Sequence, residues 1–270
     1  MPLTGRVASG YELVVGIAEQ HDFDVAKETM QYYMDVFDES LKGDNGIITP
    51  KTCGGERALI EALPGPHTTT GGFSMLARPN GFLGMCLKGM FSQVTTTDLG
   101  GGAYQHVFTA KNTAEPTPFT VYVDRANGVF RYTGFIFSSL DLDGPVNAEV
   151  KMTVSGLAMK PELVSRQAHT FIKPRPFIWA DATIDFNSVQ NLNVENLKVS
   201  INNNSEGIST HNGTRFIQRA IHKYFEVSGS FDFGFYDTDM IKRLWGDAAA
   251  TSPTMKILVN DFEIDYISPE

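Results

Sequence analysis

The chain has 270 residues, 22 Lys and Arg against 31 Asp and Glu, and a formal net charge of −9. That acidic balance excludes a surface built to wrap nucleic-acid phosphate, which needs clustered cations. Apolar residues at 42% and charged residues at 20% describe an ordinary folded protein with ample core, and 25 Gly and 19 Phe favour strands and turns.

The first ten residues, MPLTGRVASG, lack the basic start and apolar run of a secretion signal, and no apolar stretch nears the roughly 20 residues of a membrane span. The expectation is a protein cytosolic when made. Tyr11 to Ile17 reads as a strand. Residues 24–40 fit either period: Tyr32, Met34 and Val36 make one face of a strand, while Val25, Tyr32, Tyr33, Met34, Val36 and Phe37 make a helical stripe. Residues 43–70 hold many breakers, among them Gly43, Gly46, Pro50, Gly54, Gly55 and Pro64, and read as a long loop, a feature that usually serves function.

The segment Gly71 to Phe91, GGFSMLARPNGFLGMCLKGMF, changes period in the middle. Phe73 and Met75 alternate with Ser74 and Leu76, as in a half-buried strand. After Pro79-Asn80-Gly81, residues Phe82, Leu83, Met85, Cys86, Leu87 and Met90 recur at spacings of three and four, which predicts a short helix on a core. Residues 92–102 read as a polar surface loop. Strands follow at Gln105 to Ala110, Phe119 to Asp124, Val129 to Ser139 after the Asn127-Gly128 hairpin turn, and Ala148 to Leu157. Residues 159–177 are Pro-rich and polar and read as a linker. The chain ends on an apolar stretch, Met255 to Ile267.

The strand-helix unit recurs. Gly229 to Gly246, GSFDFGFYDTDMIKRLWG, sets Gly229 on Gly71 and Phe231 on Phe73 at an offset of 158, with Asp239-Met240-Ile241 on Gly81-Phe82-Leu83. Leu197-Lys198 matches Leu41-Lys42 at an offset of 156, and because the stretch before it alternates, residues 31–42 are read as a strand. The loop at 202–228 mirrors that at 43–70, and Gly213-Thr214-Arg215 repeats Gly55-Glu56-Arg57. The organisation expected is a first half over 1–158, a linker over 159–177 and a second half over 178–270.

No catalytic set assembles from the sequence. The six histidines are scattered, no HExxH or GxSxG is present, and Gly100-Gly101-Gly102 lacks a following phosphate-loop lysine. The expectation is no enzyme, no cofactor and no metal. Asp141 with Asp143 and Asp237 with Asp239 read as acidic turn residues rather than as a Ca²⁺ cage, which wants six or more oxygens. Arg57 and Arg215 are anion sites or loop contacts, with loop contacts preferred. The aromatic stripes Phe130, Tyr132, Phe135, Phe137 and Phe231, Phe233, Phe235 read as sheet core or subunit interface, with a sugar-stacking platform as the alternative.

The order of elements resembles that of the major tail-tube proteins of long-tailed (siphovirus-type) bacteriophages. The resemblance rests on Gly71–Phe91, Tyr104-Gln105-His106-Val107-Phe108-Thr109, Pro118-Phe119-Thr120-Val121-Tyr122-Val123, Phe130-Arg131-Tyr132-Thr133-Gly134-Phe135, Ala148–Gly156, Leu197–Asn202 and Val227–Gly246. It implies a mainly β fold, here as two duplicated β-sandwich or barrel halves, each with a short flanking α-helix. It further implies a virion protein of the phage tail, assembled in the host cytoplasm, whose rings stack into a hollow tube for DNA ejection. Tape-measure and tail-tip proteins are the implied partners, and DNA passes without specific binding. Two tube domains per chain favour a trimeric ring with pseudo-sixfold symmetry, a hexamer being the alternative. A barrel of about 24 strands spaced roughly 4.8 Å and tilted about 40° has a backbone diameter near 50 Å, wide enough for a duplex. The two long loops are the expected contact regions between rings or subunits, with Asp44, Asn45, Thr52, Arg57, Asn203, Asn204, His211 and Arg215 as candidate contact residues. The competing reading is a carbohydrate-binding β-sandwich, as in a receptor-binding or decoration protein.

Overall fold

The computed structural model describes residues 12–50, 62–100, 103–110, 115–181, 185–186, 189–190, 194–211 and 213–233. The predicted second helix at 239–246 and the predicted end strand at 255–267 lie outside the described residues. The first half contains β1 (Val14–Glu19), β2 (Tyr32–Asp35), β3 (Asp38–Glu39), β4 (Lys42–Ile48), β5 (Leu63–Leu76), α1 (Gly81–Phe91), β6 (Ser92–Gly100), β7 (Ala103–Ala110), β8 (Phe119–Asp124), β9 (Val129–Pro145) and β10 (Lys151–Ala158). After these come β11 (Lys160–Leu163), β12 (Asp185–Phe186), β13 (Val189–Gln190), β14 (Val194–Asn202), β15 (Glu206–Ile208), β16 (Arg219–Ile221) and β17 (Glu226–Phe233). The mainly β class stands, and all the ladders are antiparallel.

One long strand organises the molecule. The first part of β9 pairs with β8 and β11, and its second part pairs with β10 and β14. Two sheets therefore share β9: β2-β1-β8-β9-β11 on one side, and β4-β5-β10-β9-β14-β17 on the other. The change of sheet falls near Gly134, at φ 64°, where a Cβ would lie 2.5 Å from the Phe23 carbonyl oxygen. Only glycine takes that conformation against a neighbouring backbone without strain. The Gly134 N–H donates to Gln20 Oε1 at 2.7 Å, so the polar groups exposed by the bend are met inside the protein.

The two sheets enclose one core, built from Val15 and Ile17 of β1, Val121 and Val123 of β8, Phe73 and Met75 of β5, and Met152 and Val154 of β10. Strict alternation makes this possible. In β10, Met152 and Val154 turn inward while Lys151 and Thr153 are exposed. Helix α1 closes the side of the sandwich. Asn80 caps its start, its Oδ1 accepting from Leu83 N–H at 3.1 Å, and Ser92 ends it in the left-handed region at φ 63°. Gly89 lets the helix lie directly on β9, because a Cβ there would meet the Phe137 ring at 2.1 Å. The helix buries Phe82, Leu83, Cys86, Leu87 and Met90, so the helical period read from the sequence is the one the structure uses.

Four segments differ from the sequence reading. The predicted strand 31–42 is broken: β2 pairs with β1 in one sheet and β3 with β5 in the other, so the chain crosses between layers within a few residues. The loop predicted at 43–70 is narrower, because β4 and β5 pair through Gly65 and Pro66 with a bulge between Asn45 and Ile47. Proline on such a strand is tolerated where its missing N–H is not needed. Of the loop predicted at 92–102, Ser92–Gly100 is strand β6, paired with β7 in a polar hairpin whose outer part is exposed. Its threonines suit a strand, and the absence of apolar alternation hid it. The segment 159–177 contains β11 and is then strapped to the first half: Arg166 pairs with Asp124 at 2.7 Å, Arg78 donates to the Pro174 carbonyl at 2.6 Å, and Asn80 to the Ile172 carbonyl at 3.1 Å.

Candidate functional site

The sheet β4-β5-β10-β9-β14-β17 carries two hairpins four strands apart, and their registers coincide. Asp38 pairs with Ser74, Glu39 with Phe73, Lys42 with Thr70 and Asp44 with Thr68. Moving every residue by 158 gives Asn196 with Asp232, Leu197 with Phe231, Ser200 with Ser228 and Asn202 with Glu226, all of which are the pairs observed in β14–β17. Leu197 therefore corresponds to Glu39, and the match of Leu197-Lys198 to Leu41-Lys42 at 156 is shifted by two residues. A shift of two keeps each side chain on its face, which is why the sequence alignment tolerated it.

The face of this sheet turned from the core is polar. It carries Asp44, Asp141, Asp143 and Asp232 among serines and threonines, with Lys42, Lys151 and Lys198 as the counter-charges. Ser74 and Thr153 are 3.0 Å apart, Ser139 and Ser155 2.7 Å, and Lys198 lies 4.0 Å from Asp143. Hydroxyl pairs across strands satisfy one another on this face, while the far end of the β4–β5 hairpin exposes Ile47, Ile48 and Leu63.

The two hairpins differ in what covers their bases. At the first, the His67 N–H donates to the Arg215 carbonyl at 2.9 Å, the His67 ring meets Phe216 at 5.0 Å, and Arg215 Nη1 reaches the Gly65 carbonyl at 3.4 Å. His67 is buried, with Nδ1 2.8 Å from the first hairpin's own Asn45 Oδ1 and Nε2 3.2 Å from Thr69 Oγ1. Burial, then the Arg215 charge, lowers the His67 pKa. At the second hairpin the pairing ends at Asn202 and Glu226, and a cleft of about 510 Å³ opens there, lined by Ser138, Asn204, Lys223, Tyr224 and Glu226 among others. Tyr224 is 80% exposed.

The candidate contact residues fall in three places. Asp44 is exposed on β4, and His211 is exposed in the bend after β15. Asn45 and Arg215 are brought to the same spot, both on His67. Asn203 is buried and donates from Nδ2 to the Met90 carbonyl at 2.9 Å, tying the end of α1 to the second hairpin. Asn204, at φ 47°, donates to the Tyr224 carbonyl at 3.0 Å. Thr52 and Arg57 lie outside the described residues. Sequence reasoning did not single out His67, Phe216 or Tyr224. The repeated Gly-x-Arg pointed to Arg215, but its partner lies 148 residues earlier in the chain, and no local pattern names such a partner.

The first hairpin is also braced from behind. Arg125 donates from Nε and Nη2 to the two Glu39 carboxylate oxygens, both at 2.8 Å, and stacks on Phe130 with 4.8 Å to the ring centre. The Glu39 hydrogen bond holds the Arg125 pKa up. At the second hairpin His222 is mostly enclosed, its Nδ1 2.9 Å from Ser205 Oγ, and burial lowers its pKa to about 4. The first aromatic stripe is spent on the core, since Tyr132, Phe135 and Phe137 are all buried, so it offers no sugar platform. Among the described residues, no group of three His, Cys, Asp or Glu side chains is placed to hold a metal ion, and no helix is long and apolar enough to cross a membrane.

No curated protein matches the chain. A family model described as phage tail tube protein matches residues 10–261, nearly the whole length, and the sheet, its polar face and the flanking helix belong to that match. The chain is a member of the phage tail tube protein family, a structural component of the phage tail.

Proposed function

We propose that this chain is two tube domains in tandem, about 1–158 and 178–270, and that three chains close into a pseudo-sixfold ring. The observation that carries the reading is the shared register of β4–β5 and β14–β17 on one sheet, repeated after four strands. A sheet that repeats by translation along its own hydrogen-bonding direction has no internal stop, and it closes when its ends meet. Rings then stack into a hollow tube, with tape-measure and tail-tip proteins as further tail partners and with assembly in the host cytoplasm.

In this reading the polar face of the sheet lines the channel. Its carboxylates repel phosphate at close range and its hydroxyls present no cationic cluster, so DNA slides through into the host without being held. The role is structural, with no catalytic step. Negative-stain electron microscopy of the purified chain should show rings or tubes with a central channel. Native mass spectrometry should count three chains per ring. A dispersed monomer at high concentration would overturn the tube, and six chains per ring would overturn the trimer.

A further inference from the structure

Resting on the tube reading, but not on the number of chains in a ring, we infer that the β4–β5 hairpin joins one ring to the next. Its apolar tip seats on a cleft at the opposite end of the same strands in a second copy of this chain. The tip is Ile47, Ile48 and Leu63, which are 70%, 51% and 42% exposed. It protrudes: β10 ends at Ala158 opposite Thr69, and residues 63–68 of β5 run on beyond it paired with β4. Ile48 faces Leu63 across the last pair of that ladder and Ile47 faces Pro64, so apolar groups stand on both faces of the ribbon. A strand apolar on both faces has the pattern of one covered on both. Its own chain leaves this end exposed.

The cleft lies at the other end of β5, where the chain passes from β2 to β3. Asp35, Val36, Phe37, Leu76 and Arg78 line it, and its volume is about 50 Å³. The Phe37 N–H is fixed to the Ser74 carbonyl at 2.7 Å, yet the residue is 60% exposed, so its ring forms an open rim. On the same end of the sheet, Val146 in the β9–β10 turn and Trp179, whose N–H donates to the Ala148 carbonyl at 3.2 Å, are exposed as well. Charge favours the match. Among the described residues no carboxylate pairs with Lys151 or Arg78 beside the cleft, and no cation pairs with the exposed Asp44 on the hairpin. Strand β5 runs fourteen residues from Leu63 to Leu76, about 45 Å, so a tip cannot reach the cleft of its own chain. A protrusion and a cleft at opposite ends of one subunit make a heterologous contact that need not close on itself, and an open stack of rings requires a contact of that kind.

Charge swapping tests this. Ile48→Lys sets a cation on the tip against Lys151 and Arg78, and Phe37→Glu replaces the apolar rim of the cleft with a carboxylate. Both positions are exposed, so each chain should fold and close rings. Each variant alone should raise the protein concentration at which tubes form about tenfold, read by sedimentation and negative-stain microscopy. The two changes in one chain place opposite charges at every joint and should bring that concentration most of the way back. Single variants that form tubes as the unmodified chain does, or a double variant that stays blocked, would overturn the inference and leave the tube reading standing; an unmodified chain that forms no tubes would overturn both. Should a variant not fold or not close rings, cysteine pairing decides. In a Cys53→Ser background, Ile48→Cys with Phe37→Cys, oxidised after assembly, should give a ladder of joined chains that runs past the number of chains in one ring. A ladder that stops at that number, or single-chain bands alone, would overturn the inference.

Discussion

The two hairpins of one sheet share a register and differ in everything around it. The β4–β5 hairpin continues its pairing to Ile48 and Leu63, is covered by Arg215 and Phe216, and is braced by Arg125 on Glu39. The β14–β17 hairpin stops pairing at Asn202 and Glu226, opens into a cleft, and has Leu197 where the first has Glu39. Backbone pairing is set by the pleat and the faces, which the two hairpins have in common. Side chains at matched positions differ according to what each hairpin touches.

The largest effect should come from the brace that only the first hairpin has. Arg125→Ala leaves the buried Glu39 carboxylate without its bidentate partner and should cost about 3 kcal/mol in denaturant unfolding. Giving the first hairpin the residue of the second, as Glu39→Leu with Arg125→Leu, should recover most of that loss, because well-packed apolar side chains replace a buried pair at little cost. No recovery would mean that the two positions are not equivalent in their surroundings.

The matched asparagines come next. Asn203→Ala removes a buried donor to the Met90 carbonyl and should destabilise by about 2 kcal/mol, whereas Asn45→Ala, which loses only its contact with His67, should cost below about 1 kcal/mol. Thermal melts of the two single variants compare them directly, and equal losses would break the distinction.

A third difference is acid sensitivity. His222 has a folded pKa of about 4 against the ordinary 6.5, so it binds its proton more readily when unfolded. Its neutral form contributes stability that is fully present above pH 6.5 and is lost as pH falls from about 6.5 to about 4, with no further loss below. After allowance for partial exposure, the loss should be about 1.5 kcal/mol. His222→Gln should remove that part of the pH dependence, leaving the smaller slope owed to His67, and the two melting curves against pH measure it. The smallest effect expected is local. Arg215→Ala keeps the backbone bond to His67 but loses the guanidinium contact with Gly65, and should speed exchange at the His67 amide about twofold, a change of about 0.5 kcal/mol.

The sequence by itself determined the strands with clean alternation, such as Phe119–Asp124, and the one helix, because burial on one face leaves a period that can be read locally. It also held a repeated pattern at an offset of 158, with Gly229 on Gly71 and Phe231 on Phe73. It missed β6, whose threonines show no apolar face, and the pairing through Pro64 to Pro66, where breakers sit on a strand. The register that relates the two hairpins, with Leu197 in the place of Glu39, was decided only by tertiary structure, because a two-residue slip preserves every face and leaves the alternation unchanged. Tertiary structure alone also brought Arg215 onto His67 and put Asn203 under the end of α1. Those contacts join residues more than a hundred positions apart, and no periodicity within a segment records which distant segment will cover it.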